Sequence, residues 1–186
     1  MSFEDIAKKR ASIRRYSDKK PKIETVIQII ETANLAPSPG NMAIVKYLII
    51  KEKDTIDKIA EACRQNFIAD APYLVLICSE LKEVESAYEA RGKKYLKQHV
   101  GAVIENMLLE ITDLGLASCW IGAFSDLTIK NLLKIPDNIE IEAIIPIAYQ
   151  LKIDKTVQKK KHSLTPRLFF ESYGNKFLKP FKKIGT

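Results

Sequence analysis

Residues 95–115, YLKQHVGAVIENMLLEITDLG, decide the fold because they form the longest amphipathic segment of this chain. Their apolar side chains recur at helical spacing over more than three turns. Gly115 ends the pattern, since a glycine readily takes the left-handed conformation that closes a helix. We therefore predict a helix from Tyr95 to Leu114 with one face on the core. That face consists of Val100, Val103, Ile104, Met107, Leu108 and Ile111.

Three apolar segments around this helix are typical of strands: residues 45–51 (VKYLIIK), 71–79 (APYLVLICS) and 139–151 (IEIEAIIPIAYQL). The middle one is a continuous apolar run, which predicts a strand buried on both faces. Further helical patterns interrupt these strands at spacings too irregular for repeated βαβ units. We therefore predict one α+β domain over residues 1–186, with a central mixed or antiparallel sheet and helices on both of its faces.

The shorter helices are indicated by end signals as well as by periodicity. Ser2 and Asp5 have the spacing of a capping box, so a first helix begins at Phe3. A capping box at Asp54–Asp57 predicts another helix, which runs to about Asn66. Between them, residues 23–36 (IETVIQIIETANLA) predict a second helix that stops at two prolines and a glycine. Its apolar face comprises Ile23, Val26, Ile27 and Ile30. A polar helical region is predicted from Lys82 to Lys97, and a short helix at 125–136.

The composition is ordinary for a globular protein, with 46% hydrophobic and 28% charged residues and a net charge of +7. The lysines are scattered and aromatic residues do not interleave with them, so no nucleic-acid partner is expected. No segment approaches the roughly 20 apolar residues of a membrane helix, and the first residues lack the apolar core of a signal peptide. We therefore expect a cytoplasmic protein without a membrane partner.

The three cysteines are Cys63, Cys78 and Cys119. Their number is odd and they lie far apart, so they match neither a zinc site nor a redox pair. Two of them lie in apolar runs, which favours buried structural thiols. We expect no metal site in this chain.

A basic stretch at residues 8–16, KKRASIRRY, is the first candidate site. Arg10 falls on the apolar face of the first helix, and a guanidinium that reaches inward needs an anion. The following residues look extended, which puts Ser12 and Arg14 on one side. Two guanidinium groups and a hydroxyl are suited to a phosphate. A carboxylate of the same chain, or a solvated basic surface, would also explain the pattern.

Taken in order, these segments resemble the FMN-dependent nitroreductase family over nearly the whole chain. The resemblance implies a three-layer fold and a homodimer that exchanges its C-terminal segments and holds FMN at the interface. It rests on R-x-S-x-R at 10–14, APSPGN at 36–41, APYLVLI at 71–77, YEARG at 88–92, GLASCWIGAF at 115–124, IIPIAY at 144–149 and TPRLFFE at 165–171.

The resemblance also implies where FMN is held. Arg10 and Ser12 would lie by the phosphate and the ribityl chain, and Arg14 nearer the pyrimidine edge of the flavin. Arg167 corresponds to a phosphate-binding arginine near the C-terminus, and the alternative for it is a surface charge in the tail. A forked guanidinium suits a phosphate, and a cation near the pyrimidine edge stabilises the negative charge of a reduced flavin.

Two further segments are implied to contact the flavin ring. The loop with Pro37, Ser38 and Asn41 would cover it from the second subunit. The CWIGA stretch would lie near N5, where the absent side chain of Gly122 lets the backbone approach the ring. Trp120 either touches the flavin or is a core aromatic. The implied cofactor-binding residues are therefore Arg10, Ser12, Arg14, Pro37, Ser38, Asn41, Trp120, Ile121, Gly122 and Arg167.

The activity implied is hydride transfer from NADH or NADPH through FMN N5 to a flat electrophilic small molecule, a nitroaromatic, a quinone or a related acceptor. The cycle would be ping-pong, and no protein residue is expected to be catalytic because the flavin carries the chemistry. Three residues depart from the family pattern, namely Ala43, His99 and Ala148. They keep a second hypothesis open, a non-catalytic basic binding protein with a degenerate flavin site.

Overall fold

The computed structural model describes residues 2–151 and 163–176 of the 186-residue chain. Six α-helices and three strands are formed in these residues, with short 3₁₀ turns at Pro39–Asn41, Asn66–Asp70, Glu89–Arg91 and Thr165–Arg167. In chain order the main elements are α1 (Phe3–Lys9), α2 (Ile23–Ala33), β1 (Val45–Ile50), α3 (Lys53–Cys63), β2 (Tyr73–Glu80), α4 (Lys82–Tyr88), α5 (Gly92–Asp113), α6 (Asp126–Leu133) and β3 (Ile139–Ile147).

The three strands form one antiparallel sheet in the order β1-β2-β3. Leu76 in the central strand lies between Leu48 of β1 and Ile144 of β3. Every strand pairing among residues 2–151 and 163–176 is antiparallel, which decides between the mixed and the antiparallel arrangement. Isolated bridges extend the ladder beyond β3, because Ile121 pairs with Ile144 and Ala117 with Ala148. Residues 117–121 therefore lie along the outer edge of β3.

Helices cover both faces of the sheet, so the fold has the three layers that the sequence predicts. Successive side chains of a strand point to opposite faces. In β2, Val75 and Ile77 belong to a buried cluster shared with α2 and α5, whereas Leu74 and Leu76 belong to a cluster shared with α3 and α6. All side chains of β2 up to Ser79 are buried, which confirms a strand buried on both faces.

The long helix is confirmed, although α5 begins at Gly92 and ends at Asp113. The predicted apolar face is buried along its whole length. The polar region from Lys82 is not one helix: α4 ends at Tyr88, and the turn at Glu89–Arg91 separates it from α5. The predicted end of this helix at Gly115 is also confirmed, because Gly115 has φ +70° and the Leu116 N–H donates to the carbonyl of Ile111.

Three local predictions are wrong. The α3 helix begins at Lys53 without a side-chain cap, and the Asp57 carboxylate pairs with Lys53 instead of capping the helix. It ends at Cys63, because Arg64 turns into the left-handed conformation with φ 52°. In α2, Ile27 is 44% exposed and Ile29 is buried in its place, since that side of the helix contacts α5. The capping box of α1, by contrast, is present as predicted.

The three cysteines are buried and free, as predicted. Burial raises the pKa of Cys63 to about 11 and that of Cys78, which Glu142 raises further, also to about 11. Both thiols are therefore protonated near neutral pH and unreactive. Among residues 2–151 and 163–176, no helix has the length and apolar character that crossing a membrane requires.

Candidate functional site

The basic segment leaves α1 as an extended chain along the edge of the sheet. Arg10 closes α1, and its N–H donates to the carbonyl of Ile6. The Ile13 N–H then donates to the Ser118 carbonyl over 2.8 Å, and Tyr16 forms a bridge with Gln150. Because Ser118 belongs to the stretch that runs along β3, the segment lies beside the CWIGA residues. The structure therefore brings together two sequence segments that are about a hundred residues apart in the chain.

The side chains of this segment alternate as predicted. Ser12 and Arg14 are exposed, whereas Ile13 between them is partly buried and Tyr16 is buried. The guanidinium carbon of Arg14 lies 6.0 Å from the centre of the Phe67 ring, which is a cation–π contact at its outer limit. Burial raises the pKa of Tyr16 well above its ordinary value, so its hydroxyl stays protonated and donates to the carbonyl of Ile13. Ser12 and Arg14 thus face the same side of an anchored segment.

Arg10 finds an anion within its own chain. Its Nε lies 3.5 Å from Oε1 of Glu105 on α5. The Arg10 side chain is 25% exposed and that of Glu105 is 49% exposed, so the pair lies near the surface. A carboxylate of the same chain was one of the alternatives for Arg10, and it is present. A guanidinium has five N–H donors, so this pair leaves donors for a further anion.

A cavity of about 260 Å³ lies behind the basic segment, between it and the C-terminal half of α5. Arg10, Ala11, Thr112 and Ser118 are among the residues that line it. The Ser118 hydroxyl is buried and has no hydrogen-bond partner among the described residues. A buried hydroxyl without a partner is unusual in a native protein. Of the predicted phosphate donors only Arg10 lines this cavity, together with Ser118, whereas Ser12 and Arg14 do not line it. Guanidinium and hydroxyl donors suit an anionic group such as the phosphate of FMN.

The CWIGA residues present backbone and one aromatic ring to the outside. Ile121 is buried and pairs with Ile144, which fixes the next residue at the sheet edge. Gly122 is exposed, and a Cβ built on it meets no described atom within 4 Å. Trp120 is 43% exposed, so within one chain it is not a core aromatic. Contact of Trp120 or Gly122 with a flavin stays a prediction.

The APSPGN loop lies elsewhere, on the N-terminal half of α5. His99 Nδ1 is 2.9 Å from the carbonyl oxygen of Pro37. Gly40 and Asn41 both have φ +57°, a conformation that favours glycine and asparagine. A cavity of about 440 Å³ lies between this loop and α5, and a smaller one of about 150 Å³ is lined by Ser38 and Asn41.

The loop and the basic edge line two separate cavities in the described part of the chain. The cavity beside Pro37 and the cavity beside Arg10 share no lining residue. The loop contacts α5 at His99, and Arg10 contacts it at Glu105, about 9 Å further along the helix axis at 1.5 Å per residue.

Arg167 lies in the exposed turn Thr165–Arg167, and its guanidinium donates to the carbonyl of Ser163. Its role as a phosphate ligand stays a prediction. Two contacts that the structure shows were not predicted from the sequence, the Phe67 ring beside Arg14 and the bond between His99 and Pro37. The departure from the family pattern at His99 was the one signal that pointed to the second.

A three-layer α+β fold, with a basic segment beside an exposed glycine at the sheet edge, defines the class of protein. The chain belongs to the nitroreductase family: the family model described as Nitroreductase family matches residues 7–68 and 62–149. Among solved structures, a nitroreductase family protein from Clostridium difficile 630 superposes with a TM-score of 0.81 at 32% identity. That match covers 92% of this chain and 99% of the other.

Two relatives show that similar proteins carry different activities in their names. The iodotyrosine deiodinase of Thermotoga neapolitana is 25% identical over 171 residues, which cover 78% of this chain and 87% of that protein. The FMN reductase [NAD(P)H] of Bacillus subtilis is 32% identical over 107 residues, which cover 57% of this chain and 42% of that protein.

Proposed function

We propose that this chain is an FMN-dependent oxidoreductase that takes a hydride from NADH or NADPH and passes it to a flat electrophilic acceptor in a ping-pong cycle. The acceptor would be a nitroaromatic, a quinone or a related small molecule. The broader statement, an NAD(P)H-dependent oxidoreductase, rests on membership of the nitroreductase family and on relatives such as the FMN reductase [NAD(P)H] of Bacillus subtilis.

One observation carries the choice of cofactor. The segment with Arg10, Ser12 and Arg14 is bonded through Ile13 to Ser118, so the donors for a phosphate lie beside the exposed backbone at Gly122. This arrangement offers an anion site and an open backbone along the same edge of the sheet, which suits an elongated cofactor with one phosphate and one flat ring. The chain has no glycine fingerprint for a dinucleotide, which favours FMN over FAD.

The roles of the protein residues are binding and orientation. Arg10, Ser12 and Arg167 would hold the phosphate, and Arg14 would lie by the pyrimidine edge of the ring. The backbone at Gly122 would contact the ring, together with Trp120 and Ile121, which immediately precede it in the chain. When bound, FMN supplies a carrier that accepts a hydride at N5 and returns it, so no acid or base from the protein is required for that step.

The proposal includes a homodimer in the cytoplasm. The loop with Pro37, Ser38 and Asn41 packs against α5, away from the basic edge of its own chain. In the dimer this loop would cover the flavin of the partner. Exposed apolar side chains at Phe3 and Ile27 on α1 and α2 are consistent with further contacts between subunits. A dimer with the cofactor at its interface uses every segment that the resemblance assigns to the site.

Purification followed by cofactor analysis tests the proposal. We expect a yellow protein whose released chromophore has the mass of FMN, and anaerobic bleaching of that chromophore by NADH or NADPH. Reoxidation by a panel of nitroaromatics and quinones then identifies the acceptor class. FAD at full occupancy would overturn the choice of cofactor. A colourless protein that refuses added FMN would support the second hypothesis, a binding protein with a degenerate flavin site.

A further inference from the structure

The side chain of His99 connects the APSPGN loop to a cavity on α5. His99 is buried, with 7% of the residue exposed, and its Nδ1 lies 2.9 Å from the Pro37 carbonyl oxygen. His99 lines the cavity of about 440 Å³ between the loop and α5, and also the smaller cavity of about 150 Å³ beside Ser38 and Asn41. Nε2 has no hydrogen-bond partner within residues 2–151 and 163–176, and it is not among the polar atoms sealed from solvent.

The partner of Nδ1 determines which nitrogen carries the proton. A backbone carbonyl can only accept a hydrogen bond, so Nδ1 of His99 must donate to Pro37. A neutral imidazole has one N–H, which leaves Nε2 as a bare acceptor. A ligand that pairs with Nε2 of the neutral ring must therefore bring a donor, a hydroxyl or an amino group.

The rest of the cavity is lined largely by aromatic and proline side chains. Tyr88 and Tyr95 line it and meet edge to face, with ring centres 5.2 Å apart and planes at 87°. Pro37 and Pro39 line it from the loop. Aromatic and proline side chains offer apolar contact area with few internal rotations, so they suit a rigid aromatic ligand.

The loop and the cavity are held together on both sides. A Cβ on Gly40 would lie 3.0 Å from the Tyr88 hydroxyl, so the loop backbone passes close to this tyrosine. His99 secures the loop at Pro37. A change in the loop conformation would therefore change the shape of the cavity, because the loop forms one of its walls.

We propose that His99 is a specificity-determining residue whose Nε2 accepts a hydrogen bond from an aromatic acceptor that carries a hydroxyl or amino substituent. This inference rests on the proposed function, because the cavity becomes an acceptor pocket only if the loop beside it covers a flavin. It narrows the substrate class from flat electrophiles in general to flat electrophiles with a hydrogen-bond donor on or next to the ring.

Binding to the oxidised, FMN-loaded protein without NAD(P)H tests the assignment directly. The probes are 4-nitrobenzyl alcohol and its methyl ether, which share the ring and the nitro group and differ in the O–H donor. We expect the alcohol to bind about fivefold more tightly by calorimetry, the effect of one hydrogen bond. Equal dissociation constants, tighter binding of the ether, or no binding of either probe would overturn the proposal.

Two variants separate the two nitrogens of His99. In His99→Asn the amide N–H takes the place of Nδ1–H and nothing replaces Nε2, so the preference for the alcohol should disappear. In His99→Gln the longer side chain places an amide oxygen near the position of Nε2, so the preference should remain. The opposite pattern, or a preference that survives in His99→Asn, would show that the donor group is recognised elsewhere.

A measurement on the unmodified protein covers the case in which a variant does not fold. The chain contains two histidines, so ¹⁵N-histidine NMR resolves their tautomers. We expect one imidazole protonated at Nδ1, with an Nε2 resonance that moves when 4-nitrobenzyl alcohol is added and stays when the ether is added. Protonation of both imidazoles at Nε2 would overturn the proposal. Loss of FMN or of NAD(P)H-driven reduction overturns the proposed function instead, so the two failures are distinguishable.

Discussion

Arg10 Nε lies 3.5 Å from Glu105 Oε1, which ties the end of α1 to the middle of α5. A pair this exposed contributes less than about 1 kcal/mol to stability. The main effect of the ion pair is on orientation, because it holds the Arg10 guanidinium in one direction at the start of the R-x-S-x-R segment. The relationship also gives the cofactor hypothesis a sharp test, because the arginine has one identified anion and spare donors for another.

Arg10→Ala should weaken FMN binding more than Lys9→Ala. Lys9 is adjacent and exposed but lies off the apolar face of α1, so the pair of variants removes the same charge at two positions. Loss of a charge-assisted hydrogen bond costs about 1.5–3 kcal/mol, or roughly tenfold to a hundredfold in affinity. Quenching of FMN fluorescence measures the dissociation constants. Equal effects of the two variants would indicate a general basic surface.

Glu105→Gln distinguishes a phosphate ligand from an internal ion pair. The variant removes the carboxylate charge and leaves Arg10 in place, so FMN affinity should be retained or increase. If Arg10 served only Glu105, the two variants Arg10→Ala and Glu105→Gln would change FMN binding to the same extent. The same fluorescence titration measures both.

The same substitution at two glycines of α5 should have opposite effects on stability. A Cβ on Gly92 would lie 2.7 Å from the Val84 carbonyl oxygen and 2.8 Å from the Glu85 backbone, whereas a Cβ on Gly101 meets nothing within 4 Å. Gly92→Ala should lower the free energy of unfolding by about 1–3 kcal/mol through overpacking. Gly101→Ala should raise it by about 0.5–1 kcal/mol through helix propensity.

Urea unfolding measures both variants under the same conditions. Stabilisation by Gly92→Ala would mean that α4 does not approach α5 as closely as the structure shows. Because both sites lie in the same helix, a general effect of alanine on α5 would give equal signs.

Lys97 joins α5 to β3 through ion pairs with two carboxylates. These ion pairs should make the stability of the protein depend on pH. Its Nζ lies 2.6 Å from Glu140 Oε2 and 2.7 Å from Glu142 Oε1. The hydrogen bond from Lys97 lowers the pKa of Glu140 below 4.5. Burial alone would lower the pKa of Lys97, but its hydrogen bonds to the carboxylates outweigh burial and raise that pKa above 10.5.

The pH dependence of the free energy of unfolding follows from the directions of these two pKa shifts. The Glu140 contribution is complete above its unfolded pKa of 4.5 and is lost as the pH falls through the lower folded value. The Lys97 contribution is complete below 10.5 and is lost as the pH rises through the higher folded value. Lys97→Met should therefore reduce stability at pH 7, by about 1 kcal/mol for a partly exposed pair, and the deficit should shrink near pH 3.

Urea unfolding at the two pH values tests this, with Lys94→Met, an exposed lysine of the same helix, as the control. A deficit of Lys97→Met that is the same at pH 3 and pH 7 would contradict the assignment.

The sequence predicts the elements whose signals are long. The apolar face of α5 and the continuous run of β2 each span many residues, so local exceptions do not hide them. Short signals failed where another contact competed with them. Asp57 pairs with Lys53 one turn away in the same helix instead of capping α3. Ile27 is exposed because α5 contacts the other side of α2. The start of α5 at Gly92 depends on the close approach of α4, which no local pattern encodes.

The candidate site was predictable as a set of segments and not as an arrangement. The alternation of Ser12 and Arg14 follows from local geometry, and the exposed sides match it. That this segment lies beside Ser118 depends on a pairing between residues far apart in sequence. The hydrogen bond of His99 to Pro37 depends on how the loop folds back on α5, which the sequence pattern does not determine.

Removal of residues 165–186 should abolish the dimer and the bound flavin. The truncation removes Arg167 and the aromatic segment that the resemblance assigns to subunit exchange, so aggregated or flavin-free protein is expected. Light scattering coupled to size-exclusion chromatography measures the mass, and visible absorbance measures the flavin. A stable yellow monomer from this truncation would refute the dimer.

Gly122→Val should remove the flavin, or its reduction by NAD(P)H, while the fold survives. The fold survives because a Cβ at Gly122 meets no described atom within 4 Å and the residue lies outside the core. The cofactor is lost because the added side chain would occupy the space in which we expect the ring to contact the backbone. Gly122→Ala, with a single methyl group, should show a smaller loss than Gly122→Val. Circular dichroism monitors the fold, and visible absorbance with NADH or NADPH monitors flavin content and reduction. Full FMN content and a full rate in Gly122→Val would place the ring elsewhere, because a valine at a position in contact with the flavin cannot leave both unchanged.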